Sequence, residues 1–265
     1  MLEGKNITKD YTLGYFSSSV KHVLKDIHIC FKREETVAIV GESGCGKTTL
    51  AKVLTMQLPA TKGEVYFDDA KLSSLPRKEL KPYLRRIQLI PQNPDDAVDP
   101  RWTAFRSVKE PLEIAGSYSE NEMNEIVCDL FAEVGLSETH MRRYPHELSG
   151  GELQRVVIAR ALTLEPEILI CDEATSMLDV SVQANIITIL KKIQEKRKIG
   201  LVLITHDINL ARVAADRVIV MYDGEIVEEG KNVLEKPNHP YTKKMVSAAM
   251  YLNVDNEEAM ITSEK

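Results

Sequence analysis

The stretch Gly-Glu-Ser-Gly-Cys-Gly-Lys-Thr at residues 41–48 has the residue types and the spacing of a phosphate-binding loop. Its glycines let consecutive backbone N–H groups point inward around phosphate oxygens, and the positive end of a following helix adds to that field. We expect Lys47 to reach the β- and γ-phosphates of a nucleotide, and the Thr48 hydroxyl to bind Mg²⁺. The alternative, a glycine turn before a core helix, is weaker because the motif lies between a predicted strand and a predicted helix. The residues of this loop that we expect to contact the nucleotide are Gly41, Ser43, Gly44, Cys45, Gly46, Lys47, Thr48 and Thr49.

Two adjacent carboxylates, Asp172 and Glu173, follow an apolar run at residues 167–171. Asp172 is suited to hold Mg²⁺ through the waters of the ion, which leaves Glu173 to polarise an attacking water as general base. An apolar run that ends in Asp-Glu is common by itself, so this interpretation depends on the phosphate-binding loop. The two segments together predict hydrolysis of ATP, with Mg²⁺ as the metal cofactor.

Three short apolar segments are expected to position the phosphate-binding loop and the two carboxylates. Residues 36–40, 167–171 and 201–205 are typical of buried strands, and the first of them ends at the glycine that opens the loop. Residues 181–198 carry apolar side chains at helical spacing between the second strand and the third. A strand, a helix and a strand in this order predict a parallel sheet whose loops gather at one edge.

The rest of the chain adds a hairpin and a helical region. Residues 217–222 and 225–229 flank Asp-Gly, which predicts a hairpin closed by a two-residue turn. Residues 93–162 contain several prolines and long helical patterns, and we interpret them as a helical subdomain inserted into the α/β core. At 265 residues the chain fits a single domain, residues 1–265, with such an insertion.

Charge and composition limit the classes of function. A net charge of −6 and a pI near 5.6 argue against a protein that binds nucleic acid through phosphate contacts. The basic run at residues 77–86 is interpreted as a solvated helix face, with a partner or lipid headgroups as the alternative. The 4 cysteines include no C-x-x-C pair and indicate neither a metal site nor a disulfide framework. With no signal peptide or membrane-spanning run, we expect the chain to serve a membrane only through other subunits.

The segment Leu-Ser-Gly-Gly-Glu-Leu-Gln-Arg at residues 148–155 resembles the signature motif of the ABC ATPase family. The resemblance implies an α/β fold: a P-loop NTPase core with a mainly parallel sheet, an antiparallel β subdomain and an inserted α-helical subdomain. It also implies that the signature of one subunit closes over ATP held by the phosphate-binding loop of another. A Ser-Gly-Gly helix cap is the alternative. The signature residues are Leu148, Ser149, Gly150, Gly151 and Glu152.

Two further positions match the catalytic residues of the family. Gln92 resembles the loop glutamine that contacts Mg²⁺ and the attacking water and joins the core to the helical subdomain. His206 resembles the switch histidine at the γ-phosphate, although a histidine considered alone is more often structural. The resemblance thus implies that Glu173, His206 and Gln92 are catalytic, and that Thr48, Gln92 and Asp172 hold Mg²⁺.

Two more positions resemble family residues at the dimer interface and at the base. Asp179 resembles the acidic residue of the loop that crosses the dimer interface, although the family usually has alanine where this chain has Met177. Tyr11 resembles the aromatic residue that stacks on adenine. Tyr15 and Phe16 are the neighbouring alternatives to Tyr11.

Two stretches indicate a subfamily. Residues 91–101, with a Pro-Arg pair after a short acidic run, resemble the segment after the loop glutamine in ATPases of peptide and nickel importers. His-Pro-Tyr-Thr at residues 239–242, in a short C-terminal tail of residues 236–265, resembles a segment of the same subfamily. A turn before a surface helix would explain that tail as well. Longer members carry a cysteine motif for an iron–sulfur cluster, and we expect no cluster here.

The resemblance implies an ATP-hydrolysing subunit of an importer of peptides or of nickel and metal chelates, on the cytoplasmic face of the cell membrane. The implied partners are a second ABC ATPase, two integral membrane permease subunits and, indirectly, an extracytoplasmic solute-binding protein. A different ATPase is favoured over a second copy of this chain, and no nucleic acid is expected. The alternatives are a soluble ABC ATPase of DNA repair or translation and a phosphoryl-transferring kinase. The first usually has a coiled-coil insertion or two cassettes, and the second has no use for the signature motif.

Overall fold

The computed structural model of the protein describes residues 1–13, 19–174 and 178–249. The strands are β1 (Leu2–Leu13), β2 (Ser19–Phe31), β3 (Thr36–Val40), β4 (Lys62–Phe67), β5 (Ala70–Lys71), β6 (Ile87–Ile90), β7 (Ile168–Asp172), β8 (Gly200–Thr205), β9 (Arg217–Tyr222) and β10 (Glu225–Gly230). The helices are α1 (Lys47–Leu54), α2 (Arg77–Arg86), α3 (Ala104–Ala115), α4 (Glu120–Glu133), α5 (Glu138–Met141), α6 (Gly150–Leu162), α7 (Val180–Arg197) and α8 (Ile208–Ala214). Residues 240–249 are helical as well.

The larger sheet has six strands in the order β10-β9-β3-β8-β7-β6 and is parallel except for β10. Strands β3, β7 and β8 are mostly aliphatic and are buried along their whole length, as expected for parallel strands covered on both faces. Their register aligns Val40 with Thr205 and Asp172 with Ile204. The phosphate-binding motif and the acidic pair therefore lie at the same edge of the sheet, as the sequence predicts.

The hairpin predicted at residues 217–229 forms the antiparallel edge of this sheet. Strand β9 runs parallel to β3, and β10 folds back through Asp223 and Gly224, which both have positive φ. Two positive φ angles are what a type I′ turn requires. The N–H of Gly224 donates to the carbonyl of Cys45 at 3.2 Å, so the turn contacts the phosphate-binding motif.

The smaller sheet is antiparallel, with the order β2-β1-β4-β5. It shares an apolar core with α1 and the larger sheet, to which Leu24, Phe67, Leu54 and Ile204 contribute. Helix α2 follows this sheet and coincides with the basic run at residues 77–86. None of its residues is buried. Whether this helix faces only solvent or contacts a partner stays a prediction.

Helices α3 to α6 lie between β6 and β7 in the chain. Phe131 of α4 and Val157 of α6 share one apolar core with Leu201 of β8, so these helices pack on the larger sheet. Whether residues 93–162 behave as a subdomain stays a prediction. Within the described ranges, no helix is long and apolar enough to cross a membrane.

Candidate functional site

The loop between β3 and α1 needs glycine at two positions for steric reasons. A Cβ on Gly41 would lie 2.2 Å from the carbonyl oxygen of Met221, which is backbone and cannot move aside. Gly46 has a φ of 107°, and a Cβ there would lie 2.7 Å from the carbonyl oxygen of Val23. The motif spacing thus reflects close packing against β2 and β9 as well as the space that phosphates require.

Lys47, the first residue of α1, is buried with its ammonium group inside the loop. Its Nζ donates to the carbonyl oxygens of Gly41 at 2.8 Å and Glu42 at 2.9 Å. These two neutral acceptors satisfy the ammonium group without neutralising its charge. The loop therefore presents a positive centre that suits a phosphate anion.

Asp172 ends β7 with only 3% of its surface exposed. The Thr48 hydroxyl donates to its Oδ1 at 3.1 Å. Burial raises the pKa of the Asp172 carboxyl, the Thr48 hydrogen bond counteracts that rise, and the neighbouring Glu173 charge adds to it. The buried carboxylate thus lies in an environment that disfavours its own charge, which is common at functional sites.

Glu173 follows directly, in a left-handed backbone conformation with a φ of 47°. Its N–H donates to the carbonyl of Ile204 at 3.0 Å, which fixes the residue at the end of β8. Such a conformation costs a non-glycine residue on the order of 1–3 kcal/mol and is found preferentially at functional sites. The turn separates the two carboxylates, so Asp172 faces Thr48 while Glu173 faces the loop.

Among the residues that the structure describes, Gln92, Lys47 and His206 lie near the Glu173 carboxylate. The Nε2 of Gln92 donates to its Oε2 at 2.8 Å. Its Oε1 lies 4.0 Å from the Nζ of Lys47 and 4.0 Å from the Nδ1 of His206. The His206 side chain is 61% exposed and can turn toward a bound group. The structure therefore brings Gln92, Glu173 and His206 to the loop, although they are distant in sequence.

A cavity of about 480 Å³ opens over these groups. Tyr11, 38% exposed, lies on its wall, and the Nζ of Lys9 lies 5.3 Å from the Tyr11 ring centroid. The residues that line the cavity are Tyr11, Thr12, Lys21, Val23, Ser43, Gly44, Gly46, Lys47, Thr48, Thr49, Gln92 and Glu173. Tyr15 and Phe16, the alternatives to Tyr11, lie outside the described residues.

Sequence reasoning missed Thr12, Lys21 and Val23 on the cavity wall. Lys21 is placed there because β1 and β2 pair in antiparallel register, with Tyr11 opposite Lys21. Long-range pairing of this kind leaves no local motif. The position opposite Tyr11 could be found only once the hairpin register was known.

A second cavity of about 500 Å³ lies between the larger sheet and the helices before β7. Gln92, Thr48 and Asp172 line it on one side, and Arg160 of α6 lines it as well. Gln92 and Thr48 thus line both cavities. This position places Gln92 between the acidic pair and the helical segment.

The signature residues 148–152 lie at the start of α6. Ser149 caps this helix, because its hydroxyl accepts from the N–H of Glu152 while the Glu152 carboxylate accepts from the N–H of Ser149. The N–H of Ser149 holds the pKa of Glu152 below its usual value. Leu148 is half-buried, and Ser149 and Gly150 are exposed. Of these described residues, none lines the cavity over the phosphate-binding motif.

Asp179 caps α7 and is exposed. Its Oδ1 accepts from the N–H of Val182 at 2.9 Å and from the hydroxyl of Ser181 at 2.6 Å. The Ser181 hydroxyl and the Val182 N–H hold the pKa of Asp179 below its usual value, so it carries a charge at the surface. Met177 lies outside the described residues.

The fold and the site define a P-loop ATPase, with a parallel sheet that carries the phosphate-binding motif and an acidic strand beside it. Residues 24–176 match the family model described as ABC transporter. The chain belongs to the ABC transporter family, as one of its ATP-hydrolysing proteins.

Relatives and solved structures agree with this assignment. The chain is 40% identical over 255 residues to the probable peptide ABC transporter ATP-binding protein y4tS of Sinorhizobium fredii, covering 94% of this chain and 72% of that protein. It is 37% identical to the dipeptide transport ATP-binding protein DppF of Escherichia coli, covering 98% and 80%. The ABC transporter cassette MJ0796, solved as a dimer, superposes with a TM-score of 0.79 at 35% identity, covering 87% of this chain and 98% of that one. The same cassette has been solved in a post-hydrolysis state bound to ADP and Pi.

Proposed function

We propose that this chain is the ATP-binding and ATP-hydrolysing subunit of a peptide importer. The observation that carries the proposal is the placement of the Glu173 carboxylate, hydrogen-bonded to Gln92 and 4.0 Å from the ammonium group of Lys47. In this arrangement the carboxylate and the ammonium group line a cavity large enough for a nucleotide, and the exposed His206 lies beside the carboxylate.

The phosphates of ATP lie in the loop of residues 41–48. The positive centre of Lys47 attracts the β- and γ-phosphates, and the N–H groups of Ser43, Gly44, Cys45, Gly46, Thr48 and Thr49 surround the oxygens. Tyr11 stacks on adenine, because its ring is exposed on the wall of the same cavity.

The magnesium ion fits the oxygen groups beside this loop. The Thr48 hydroxyl and the Asp172 carboxylate are within 3.1 Å of each other, and the Gln92 side chain supplies a further oxygen. Such hard oxygen donors are the ligands that Mg²⁺ prefers. When bound, the ion neutralises charge on the phosphate oxygens.

Glu173 is the general base in this proposal. Its carboxylate accepts a proton from a water aligned with the γ-phosphate, and the Gln92 amide holds the carboxylate in orientation. His206, exposed beside it, donates to the γ-phosphate. Groups that stabilise developing charge in this way contribute most of the acceleration of phosphoryl transfer.

The site is completed by a second ABC ATPase subunit. The signature residues 148–152 present an exposed helix N-terminus, which suits an anion, and they lie away from the cavity of their own chain. Each signature therefore closes over ATP in the loop of the partner, and Asp179 lies at the same interface. A dimer with a different ATPase is favoured over a dimer of two copies. The dimeric cassette structure at 35% identity supports pairing of this kind.

Membrane permease subunits receive the movement of this dimer. Gln92 and Arg160 of α6 line the second cavity, so a movement of Gln92 at the nucleotide is transmitted to the helical segment through the residues around that cavity. We place the chain at the cytoplasmic face of the cell membrane, with a solute-binding protein as an indirect partner. Peptide is the proposed cargo because the relatives are named for peptides, dipeptides and oligopeptides. Nickel and metal chelates are the second candidate.

Transport measurements test this proposal. The chain, its partner ATPase and the two permeases are reconstituted in vesicles with ATP on the cytoplasmic side, and uptake of labelled peptides and of a nickel chelate is followed. We expect ATP-dependent peptide uptake that Lys47→Ala abolishes. ATP hydrolysis that continues with no uptake of either cargo would contradict the importer role. Uptake of the nickel chelate alone would reassign the cargo.

A further inference from the structure

The His-Pro-Tyr-Thr segment at residues 239–242 contacts the phosphate-binding loop. The Tyr241 hydroxyl accepts a hydrogen bond from the N–H of Glu42 at 3.0 Å, across 199 positions of sequence. Glu42 is the second residue of the loop. This segment, which in the sequence indicates a subfamily, thus lies next to the phosphate-binding loop.

The backbone of Tyr241 is fixed by the turn that precedes it and by the helix that follows it. The Glu228 carboxylate on β10 accepts from the N–H of Asn238 at 2.8 Å and of His239 at 3.0 Å. The N–H of Tyr241 donates to the Nδ1 of His239 at 3.2 Å. Val246, one helical stretch further on, is buried in a core shared with β3. These contacts fix the start of the helix at residues 240–249 against the sheet.

The Tyr241 ring is held by the end of β9. The ring centroids of Tyr241 and Tyr222 are 4.2 Å apart, and the two planes are tilted by 32°. Gly41 packs against the carbonyl of Met221, just before Tyr222, with no room for a side chain. Gly41 is therefore buried against β9, while the backbone N–H of the exposed Glu42 is held by Tyr241.

Both backbone polar groups of Glu42 are engaged. Its N–H donates to Tyr241, and its carbonyl oxygen accepts from the Nζ of Lys47 at 2.9 Å. The backbone of Glu42, together with the carbonyl of Gly41, thus holds the Lys47 ammonium group in place before a phosphate binds. A shift of Glu42 would move the Lys47 ammonium group, which binds the phosphates.

We propose that Tyr241 is a positioning residue of the phosphate-binding loop, acting on Lys47 through the backbone of Glu42. This inference rests on the proposed role of residues 41–48 in holding the phosphates of ATP. Its effect falls on nucleotide binding rather than on the hydrolytic step, because the Tyr241 side chain contacts Glu42 of the phosphate-binding loop and Tyr222 of β9.

Tyr241→Phe tests the inference in the assembled transporter, because it removes one hydroxyl and keeps the ring. We expect the KM for ATP to rise roughly three- to tenfold, the effect of losing one hydrogen bond, while kcat changes less than about twofold. Tyr222→Phe is the matched control, since it removes a hydroxyl from the adjacent ring and leaves the stacking intact. Its KM should stay at the wild-type value.

Three outcomes would overturn the inference. They are an unchanged KM in Tyr241→Phe, an equal rise of KM in both variants, and a fall of kcat at constant KM. The last pattern, accompanied by a lower Tm, is what a merely structural tyrosine would give, because fewer molecules would be active. A parallel Lys47→Ala arm separates this inference from the proposed function. If Lys47→Ala still binds ATP with the wild-type Kd, the phosphate-binding role fails, whatever Tyr241→Phe does.

Discussion

Asp172 ends a buried strand, and its carboxylate accepts a hydrogen bond from the Thr48 hydroxyl. Burial raises its pKa despite that bond. The ionised form is therefore less stable in the folded protein than in the unfolded chain, so above the folded-state pKa the charge works against folding. The same charge is what a bound cation requires. Residues of this kind lower the stability of the ligand-free protein but are required for its function.

Asp172→Asn should raise the Tm of the ligand-free protein while abolishing Mg²⁺-dependent ATP hydrolysis. The amide retains an acceptor for Thr48 and removes the buried charge. A rise of about 2–4 °C would correspond to roughly 1 kcal/mol in a protein of this size. Differential scanning fluorimetry without nucleotide and an ATPase assay measure the two effects.

Asp99 offers the opposite case as a control. Hydrogen bonds from the Arg101 side chain and backbone lower the pKa of Asp99 to about 2, so its charge is favoured in the fold. Asp99→Asn should give no rise in Tm. A Tm that falls in Asp172→Asn, or rises equally in both variants, would contradict the explanation.

At the scale of elements, local sequence patterns were sufficient to predict the central strands and the hairpin of the larger sheet. The aliphatic runs predicted β3, β7 and β8, and Asp-Gly predicted the β9–β10 hairpin, because a strand and a type I′ turn each depend on a few adjacent residues. The cavity wall opposite the loop was not predictable in this way. Lys21 and Val23 reach it through pairing of β1 with β2, and Tyr241 reaches Glu42 across 199 positions.

The helices before β7 share one core with the larger sheet, and Phe131 lies fully buried in that core. Phe131→Ala should lower the free energy of unfolding by about 3–5 kcal/mol, the usual cost of removing a buried aromatic side chain. Because the core is shared, we expect one cooperative transition in urea. Ile114→Ala on α3, where the side chain is 65% exposed, is the control and should cost under about 0.5 kcal/mol. Two separate transitions, with only the first shifted, would show that the helices form an independent unit.

At the scale of the whole molecule, the proposed mechanism gives one chain two half-sites that do not meet. The phosphate-binding loop, Gln92 and Glu173 line the cavity, while Ser149 and Gly150 of the signature are exposed outside it. Hydrolysis in this proposal therefore requires a second subunit, whereas ATP binding does not. The isolated chain should bind ATP better than it hydrolyses it.

Ser149→Arg separates these two steps. A bulky cation at the start of α6 would block closure over the nucleotide of the partner but lies away from the cavity of its own chain. We expect the Kd of the isolated chain for ATP to change less than about twofold, while the ATPase rate of the assembled transporter falls by about 10²-fold, as when charge-stabilising donors are lost. Ser117→Ala, in the turn after α3, is the control for expression and folding. Loss of ATP binding by the isolated Ser149→Arg chain would place Ser149 in the wrong half-site.

The central claim is that Glu173 activates the water that attacks ATP. Glu173→Gln keeps the shape of the side chain and removes its basicity, so turnover of the assembled ATPase should fall by about 10²–10⁴-fold, or roughly 3–5 kcal/mol in the barrier. The Kd for ATP should stay close to that of the wild type. Glu195→Gln, on the exposed side of α7, should change neither quantity. Near-normal hydrolysis by Glu173→Gln would contradict the assignment of the base and, with it, the account of this site.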